Sequence, residues 1–195
     1  MSELSLGTLS GLAANSYVID VAAGSSLDLS AGAVLPAGSI LQVVSTTKTD
    51  VFTASLSGRS FSSNVTGLEA SITPSSASSK ILVTLHMSAL RTDSSDIMFK
   101  LRRDSTDIAV GDSAGTRQQL TGGFANVTTG SIVTQNMGAQ FLDSPASTSA
   151  LTYGVQLFNP SSSTRTVAVN RTLGDTDDTG FGRHVSTITV MEVAG

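Results

Sequence analysis

Alternation at a period of two runs through the second half of this chain. Lys80–Leu90, Asp96–Arg102, Leu151–Phe158 and Val185–Val193 set apolar residues at every second position, with Ser, Thr or another polar residue between them. A strand turns successive side chains to opposite faces, so the pattern describes strands buried on one face and wet on the other. No segment carries the i, i+3, i+4 spacing of an amphipathic helix or a sustained heptad seam, which excludes a coiled-coil stalk.

From Gly38 onward the predicted strands come at regular intervals. Ile40–Val44, Val51–Leu56 and Phe61–Ile72 precede a Ser-rich loop, Thr73–Ser79, in which only Pro74 fixes the backbone. Gln140–Leu142 and Thr166–Val169 fill the gaps between the longer strands. Short strands in this rhythm predict an all-β antiparallel sandwich or barrel over residues 40–195. Within Ile97–Arg103 the register sets Ile97, Phe99, Leu101 and Arg103 on one face and Met98, Lys100 and Arg102 on the other. The first face is expected to be the core side, with Arg103 beyond the strand end at the Asp104 turn and Lys100 replaceable at little cost.

Residues 1–39 differ in kind. Small residues dominate, and the only charges are Glu3, Asp20 and Asp28. Tyr17–Val21 and Ser26–Leu29 read as short strands around Gly24, ending at Pro36-Ala37-Gly38. Short strands of this kind cannot close a core, because isolated hairpins are marginal in water. The segment is therefore expected to be an attachment arm that pairs with copies of itself or with a neighbouring protein.

Composition limits the partners. Charged residues make up 13% of the 195-residue chain, aromatics 5%, and Trp is absent, so the polar surface is mostly Ser, Thr, Asn, Gln and Gly. A surface so poor in charge suits a protein that hides much of itself in an assembly. The net charge is −4, and the 11 Lys and Arg form no denser patch than Lys100, Arg102 and Arg103, which argues against nucleic acid. Without Cys there is no disulfide framework. No positive n-region precedes Lys48 and no run reaches the length of a membrane span, so synthesis in a cytoplasm without membrane insertion is expected.

Chemistry-bearing residues are sparse. His86 falls on the polar phase of its strand beside Thr84 and Ser88, the position of a surface or interface histidine, and His184 follows Gly180–Arg183 in a loop. Copies of His184 brought together on an assembly axis would form an ion site. Asp175, Asp177 and Asp178 offer oxygen ligands in a Gly-bearing loop, yet no Glu closes it as in an EF-hand, and whether it holds Ca2+ is left open by the residues. Asp93 with Asp96, and Asp104 with Asp107, read as hairpin turns. Glu is limited to Glu3, Glu69 and Glu192, which disfavours the paired carboxylates of a glycosidase. Ser45-Thr-Thr-Lys48 fits a Ser-x-x-Lys pattern without its companion motifs, and no phosphate loop or dinucleotide fingerprint occurs. Sequons at Asn64, Asn126 and Asn170 carry no weight without a secretory route. No catalytic or cofactor-binding residue is expected, and the chain reads as a non-enzyme.

Lys80–Leu85, Met98–Asp104, Phe141–Pro145 with Tyr153–Gln156, and Ser186–Glu192 form an ordered set that resembles the trimeric jelly rolls of the complement C1q and tumour-necrosis-factor type. Most of that family's aromatic core is missing from this chain, with Phe99, Phe141, Tyr153 and Phe158 as its best substitutes. Ile40–Val44, Val65–Pro74 and Ser79–Val83 resemble a module of virion proteins of marine and cyanobacterial tailed phages, commonly in tail fibres. The resemblance implies a homotrimer on a virion, with residues 1–39 holding another virion protein. It further implies a tail fibre or appendage that touches a host-surface glycan or protein through loops distal to the arm. The alternative is a capsid decoration protein stabilising the head. A carbohydrate-binding module is a third reading, against which stand the absent Trp and the presence of only Tyr17 and Tyr153.

Overall fold

Val, Ile, Leu and Thr crowd the run that becomes the longest strand, β5 (Lys80–Arg91), and β-branched and long apolar side chains suit a pleated, half-buried surface. The computed structural model describes residues 35–93, 96–124 and 134–195. The strands expected at Tyr17–Val21 and Ser26–Leu29, the Asn126 sequon and the arm up to residue 34 lie outside these residues.

Besides β5, the described residues form β1 (Ile40–Lys48), β2 (Phe52–Leu56), β3 (Phe61–Asn64), β4 (Ala70–Ile72), β6 (Ile97–Arg103) and β7 (Thr106–Ile108). They continue with β8 (Gly122–Phe124), β9 (Gln135–Asp143), β10 (Leu151–Phe158), β11 (Arg165–Val169) and β12 (Ser186–Val193). All pairings are antiparallel, and the two sheets pack face to face as a β-sandwich. No helix among the described residues is long and apolar enough to cross a membrane.

In the larger sheet β5 pairs with β9 along one edge, from Ile81↔Asp143 to Ala89↔Gln135. Along its other edge it pairs first with β12, then with β11. β1 lies outside β12, and β2 outside β11. The first strand therefore lies beside the last, with Val43 opposite Met191 and Val44 opposite Val190. The smaller sheet runs β3-β10-β6-β7, with β4 also on β10 and β8 also on β6.

Alternation assigns the core. Ile81, Val83, Leu85 and Met87 of β5, with Ile188 and Val190 of β12, face Phe99 and Leu101 of β6 and Tyr153, Val155 and Leu157 of β10. Ile97, Phe99 and Leu101 are buried on the expected side. Arg103 belongs to the strand, and its guanidinium reaches Asp143 rather than solvent. Lys100 departs from expectation. It is only 8% exposed, with its ammonium 3.9 Å from the Phe61 ring centroid and 2.9 Å from Asp107.

Two segments differ from the sequence reading. The single strand expected over Phe61–Ile72 is two strands, both on β10, separated by a turn that Gly67 closes at φ 79° while Val65 and Leu68 plug the core. The short strand expected at Gln140–Leu142 is nine residues long, because β5 supplies it with partners along its whole length. β8 was not expected from its Gly-Gly-Phe sequence. A Cβ at Gly122 would stand 3.0 Å from the Phe99 ring and one at Gly123 2.7 Å from Met98, so only glycine lets this strand approach β6.

Candidate functional site

Polar residues in the apolar phase of their strands form closed networks. Glu192 follows Ile188 and Val190 in phase and is 1% exposed, and it accepts from Gln42 Nε2 at 2.6 Å, Ser75 N at 2.7 Å and Ser75 Oγ at 2.6 Å. Burial works to raise its pKa, and the Ser75 and Gln42 donors outweigh it, holding the carboxyl at about 2. In the same inner row Asp143 accepts from Tyr153 Oη at 2.8 Å and Arg103 Nη1 at 2.5 Å. Burial, and then Asp143, push the Tyr153 phenol far above its usual value. These carboxylates are consumed by structure.

The residues singled out from sequence do not converge. His86 lies on the outer face of the larger sheet, opposite Thr187 and Gly138. His184 is half-buried in the β11–β12 loop, where its backbone N donates to Asn170 O at 3.1 Å. Asp175 is clasped by Arg183 and by Arg171 at 3.3 Å, and Arg183 holds its carboxyl below the usual range. Asp178 Oδ1 accepts from Gly180 N at 2.8 Å, an Asx turn. Among the described residues no group of three or more His, Asp or Glu gathers as a metal would require. Asp93 pairs with Arg91 and Arg165, Asp107 with Lys100 and Arg102, and Asp104 Oδ1 accepts from Thr152 N. Asp96 is exposed. Ser45 faces out of β1 and Lys48 faces in, so the Ser-x-x-Lys pair spans opposite sides of a strand. The Asn170 side chain is buried and donates to Lys48 O and Asp50 O, and Asn64 donates to Glu69.

Cations are distributed unevenly between use and availability. Among the described residues, eight of the 11 Lys and Arg stand in an ion pair with Asp, and Arg59, Lys80 and Arg117 do not. Arg59 sits in the β2–β3 turn and Arg117 in the β7–β8 loop, and both border a hollow of about 490 Å3 floored by Met98, Leu120, Phe158 and Pro160. A second hollow, of about 330 Å3, lies beyond the same Met98 and Leu120 and is bordered by Asp96 and Phe124. Nothing local in the sequence links Arg59 to Arg117. The signal was negative, two basic residues without an acidic neighbour in strand register.

The outer face of the larger sheet carries a third feature. Register aligns Val43, Met191, Leu82 and Leu142 in one row across β1, β12, β5 and β9. Val43 is 56% and Leu142 45% exposed. The next rows are Ser45, Thr189, Thr84 and Gln140, then Thr47, Thr187, His86 and Gly138. These three rows contain no Asp, Glu, Lys or Arg. The corresponding face of the smaller sheet carries Lys100 and Arg102 with their partner Asp107.

Comparison with models of known protein families and with curated proteins finds no match for this chain.

Proposed function

We propose that this chain is a non-enzymatic structural protein of a tailed-phage virion, a homotrimeric tail fibre or tail appendage that contributes to host-surface attachment. The observation that carries the assembly part of this reading is the three uncharged rows on the outer face of β1, β12, β5 and β9, beside which Lys80 is the one charge of the next row. A sheet face with an exposed apolar row and Ser/Thr rows beside it is costly to leave in water. It meets another copy of itself without like-charge repulsion.

The strand order supports a jelly roll. The first strand lies beside the last, and the chain crosses from one sheet to the other at β2–β3, β4–β5, β5–β6, β8–β9, β9–β10 and β10–β11, the repeated crossing of a Greek-key sandwich. The described chain begins at Leu35, and Gly38 N donates to Ala194 O at 2.7 Å, so residues 35–39 lie beside the end of the C-terminal strand. In this reading the loops at the opposite end of the sandwich face the host.

Sedimentation of the full-length protein tests the trimer, and a monomer at micromolar concentration overturns it. Copy number per particle, read from a stained gel against the major capsid band, tests the location. Tens of copies fit a fibre or appendage, and hundreds fit a capsid decoration protein.

A further inference from the structure

We infer that the hollow between Arg59 and Arg117 is a binding site for an acidic saccharide, a sugar ring bearing a carboxylate or phosphate. The inference rests on the attachment reading above and names the ligand class for it.

Three observations converge. Among the described residues, the cations outside ion pairs are Arg59, Lys80 and Arg117, and two of these border one hollow. In a chain of net charge −4 that spends its other arginines on carboxylates, two guanidinium groups with no Asp or Glu in the lining make a local anion site.

The second observation is the backbone at Arg59. Its φ is 55°, a left-handed conformation that favours glycine, and Arg59 N donates to Ser161 O at 2.8 Å. Gly58 beside it lies so close to the Ser162 backbone that no side chain fits there. The turn thus uses glycine where space demands it and keeps arginine where conformation alone would prefer glycine. Strain held in this way points to a use for the side chain.

The third is the position and lining. Gln42 Nε2 donates to Thr73 O at 2.8 Å, which ties the start of β1 to the end of β4, where Ile72 pairs with Leu151, the first residue of β10. Phe158, in the floor of the hollow, is the last residue of β10 and so lies at the end away from both the start of β1 and the C-terminus. The volume of about 490 Å3 falls within the range of small-ligand sites, about 300–1,000 Å3. Met98, Leu120 and Pro160 meet the C–H face of a ring while the guanidinium groups take its charge. Phe158 is 4% exposed and offers no free ring for a base, which sets nucleic acid aside.

Titration calorimetry of the full-length protein tests this with tetragalacturonate as the carboxylate probe, glucose 6-phosphate as the phosphate probe and maltotetraose as the neutral control. Either acidic probe should bind and maltotetraose should not, and the two acidic arms identify which anion is preferred. Arg59→Gly and Arg117→Ala should each weaken binding by roughly tenfold or more, the loss expected for a charged hydrogen bond. Lys80→Ala, at the other end, should change nothing. Arg59→Gly relieves the left-handed strain, so its melting temperature should match or exceed that of the parent. Absence of binding by both acidic probes, equal binding of maltotetraose, or unchanged affinity in both arginine variants overturns the site. An acidic peptide binding in place of the sugars overturns the ligand class. Adsorption of particles lacking the protein is a separate readout: normal adsorption removes the attachment reading, whereas lost adsorption with normal adsorption of Arg59→Gly and Arg117→Ala particles removes only the groove.

Discussion

Tyr153 donates its hydroxyl to Asp143 Oδ2 at 2.8 Å, joining β10 of one sheet to β9 of the other at the base of the sandwich. Tyr153 is fully buried and Asp143 nearly so, and Arg103 completes the carboxylate from β6. A hydrophobic core tolerates sliding between sheets more readily than a buried directional pair does, so this contact helps fix how one sheet lies on the other.

Removing the hydroxyl leaves Asp143 with Arg103. Tyr153→Phe should therefore cost about 1–2 kcal/mol in denaturant unfolding, whereas Asp143→Ala should cost about 3 kcal/mol or more by stranding the buried phenol and the guanidinium together. Equal costs would mean that Arg103 gains nothing from Asp143 beyond what the Tyr153 bond supplies. Because the Tyr153 pKa is raised on folding, its contribution is present below the ordinary tyrosine range, near pH 10, and lost as pH rises beyond it, so Tyr153→Phe should flatten the alkaline arm of the stability curve.

Glu192 sets an acid dependence of opposite sign. Its folded pKa of about 2 lies below the ordinary value of 4.5, so the stabilisation is present above about pH 4.5 and is lost as pH falls toward 2. The shift corresponds to at most about 3 kcal/mol. Glu192→Gln should lower stability at pH 7 and remove most of the slope between pH 4.5 and 2. A parallel pH profile for the two proteins would show that other carboxylates carry the acid transition.

Phase made both networks legible in principle. Glu192 shares the period-two phase of Ile188 and Val190, and Asp143 that of Phe141, so a charge in the core register already announces a buried, partnered carboxylate. What the partners are was not legible, since Ser75 and Gln42 come from a loop and a strand far away in the chain. The core side of Ile97–Arg103 was readable because three apolar residues in phase decide it. The short strands β7 and β8 were not, because a Gly-Gly-Phe strand owes its existence to the space it leaves for Phe99 and Met98 rather than to its own propensity. Arg59 and Arg117 border one hollow from two loops far apart in the chain, beyond the reach of any local pattern.

On β6 the two faces should respond unequally, though less so than alternation alone suggests. Phe99→Ala empties a core position and should cost about 3–5 kcal/mol. Lys100→Ala should cost about 1 kcal/mol, because the ammonium is covered by the Phe61 ring and bound to Asp107. Chemical denaturation of both variants measures the difference, and equal costs would refute the assigned register.

Leu82 stands in the middle of the exposed apolar row, flanked by Met191 and Leu142. If the proposed trimer forms through this face, Leu82→Asp should sediment as a monomer while leaving the far-ultraviolet dichroism unchanged, since the side chain points away from the core. An unaltered trimer would move the interface off this face.

Asn170 combines full burial, a left-handed φ of 66° and a saturated side chain. Its Nδ2 donates to Lys48 O at 2.8 Å and Asp50 O at 3.1 Å, its Oδ1 accepts from Ser186 Oγ at 2.6 Å, and the same Ser186 Oγ accepts from Ser88 N at 3.0 Å. One asparagine thus ties the β1–β2 connection, β5 and β12 together, and sequence showed it only as a sequon. Asn170→Ala loses these bonds and leaves a Cβ residue in a left-handed conformation, for a cost of about 3 kcal/mol. Asn170→Gly loses the same bonds without the conformational penalty and should be less damaging by about 1 kcal/mol. Asn170→Asp keeps the shape but replaces the amide donors with lone pairs facing two carbonyls, so it should be the worst of the three near neutral pH and recover in part as acid protonates it. Thermal unfolding of the series at pH 7 and pH 4 checks the order, and a variant ranking in which alanine exceeds glycine in stability would show that the backbone at this position is not held left-handed.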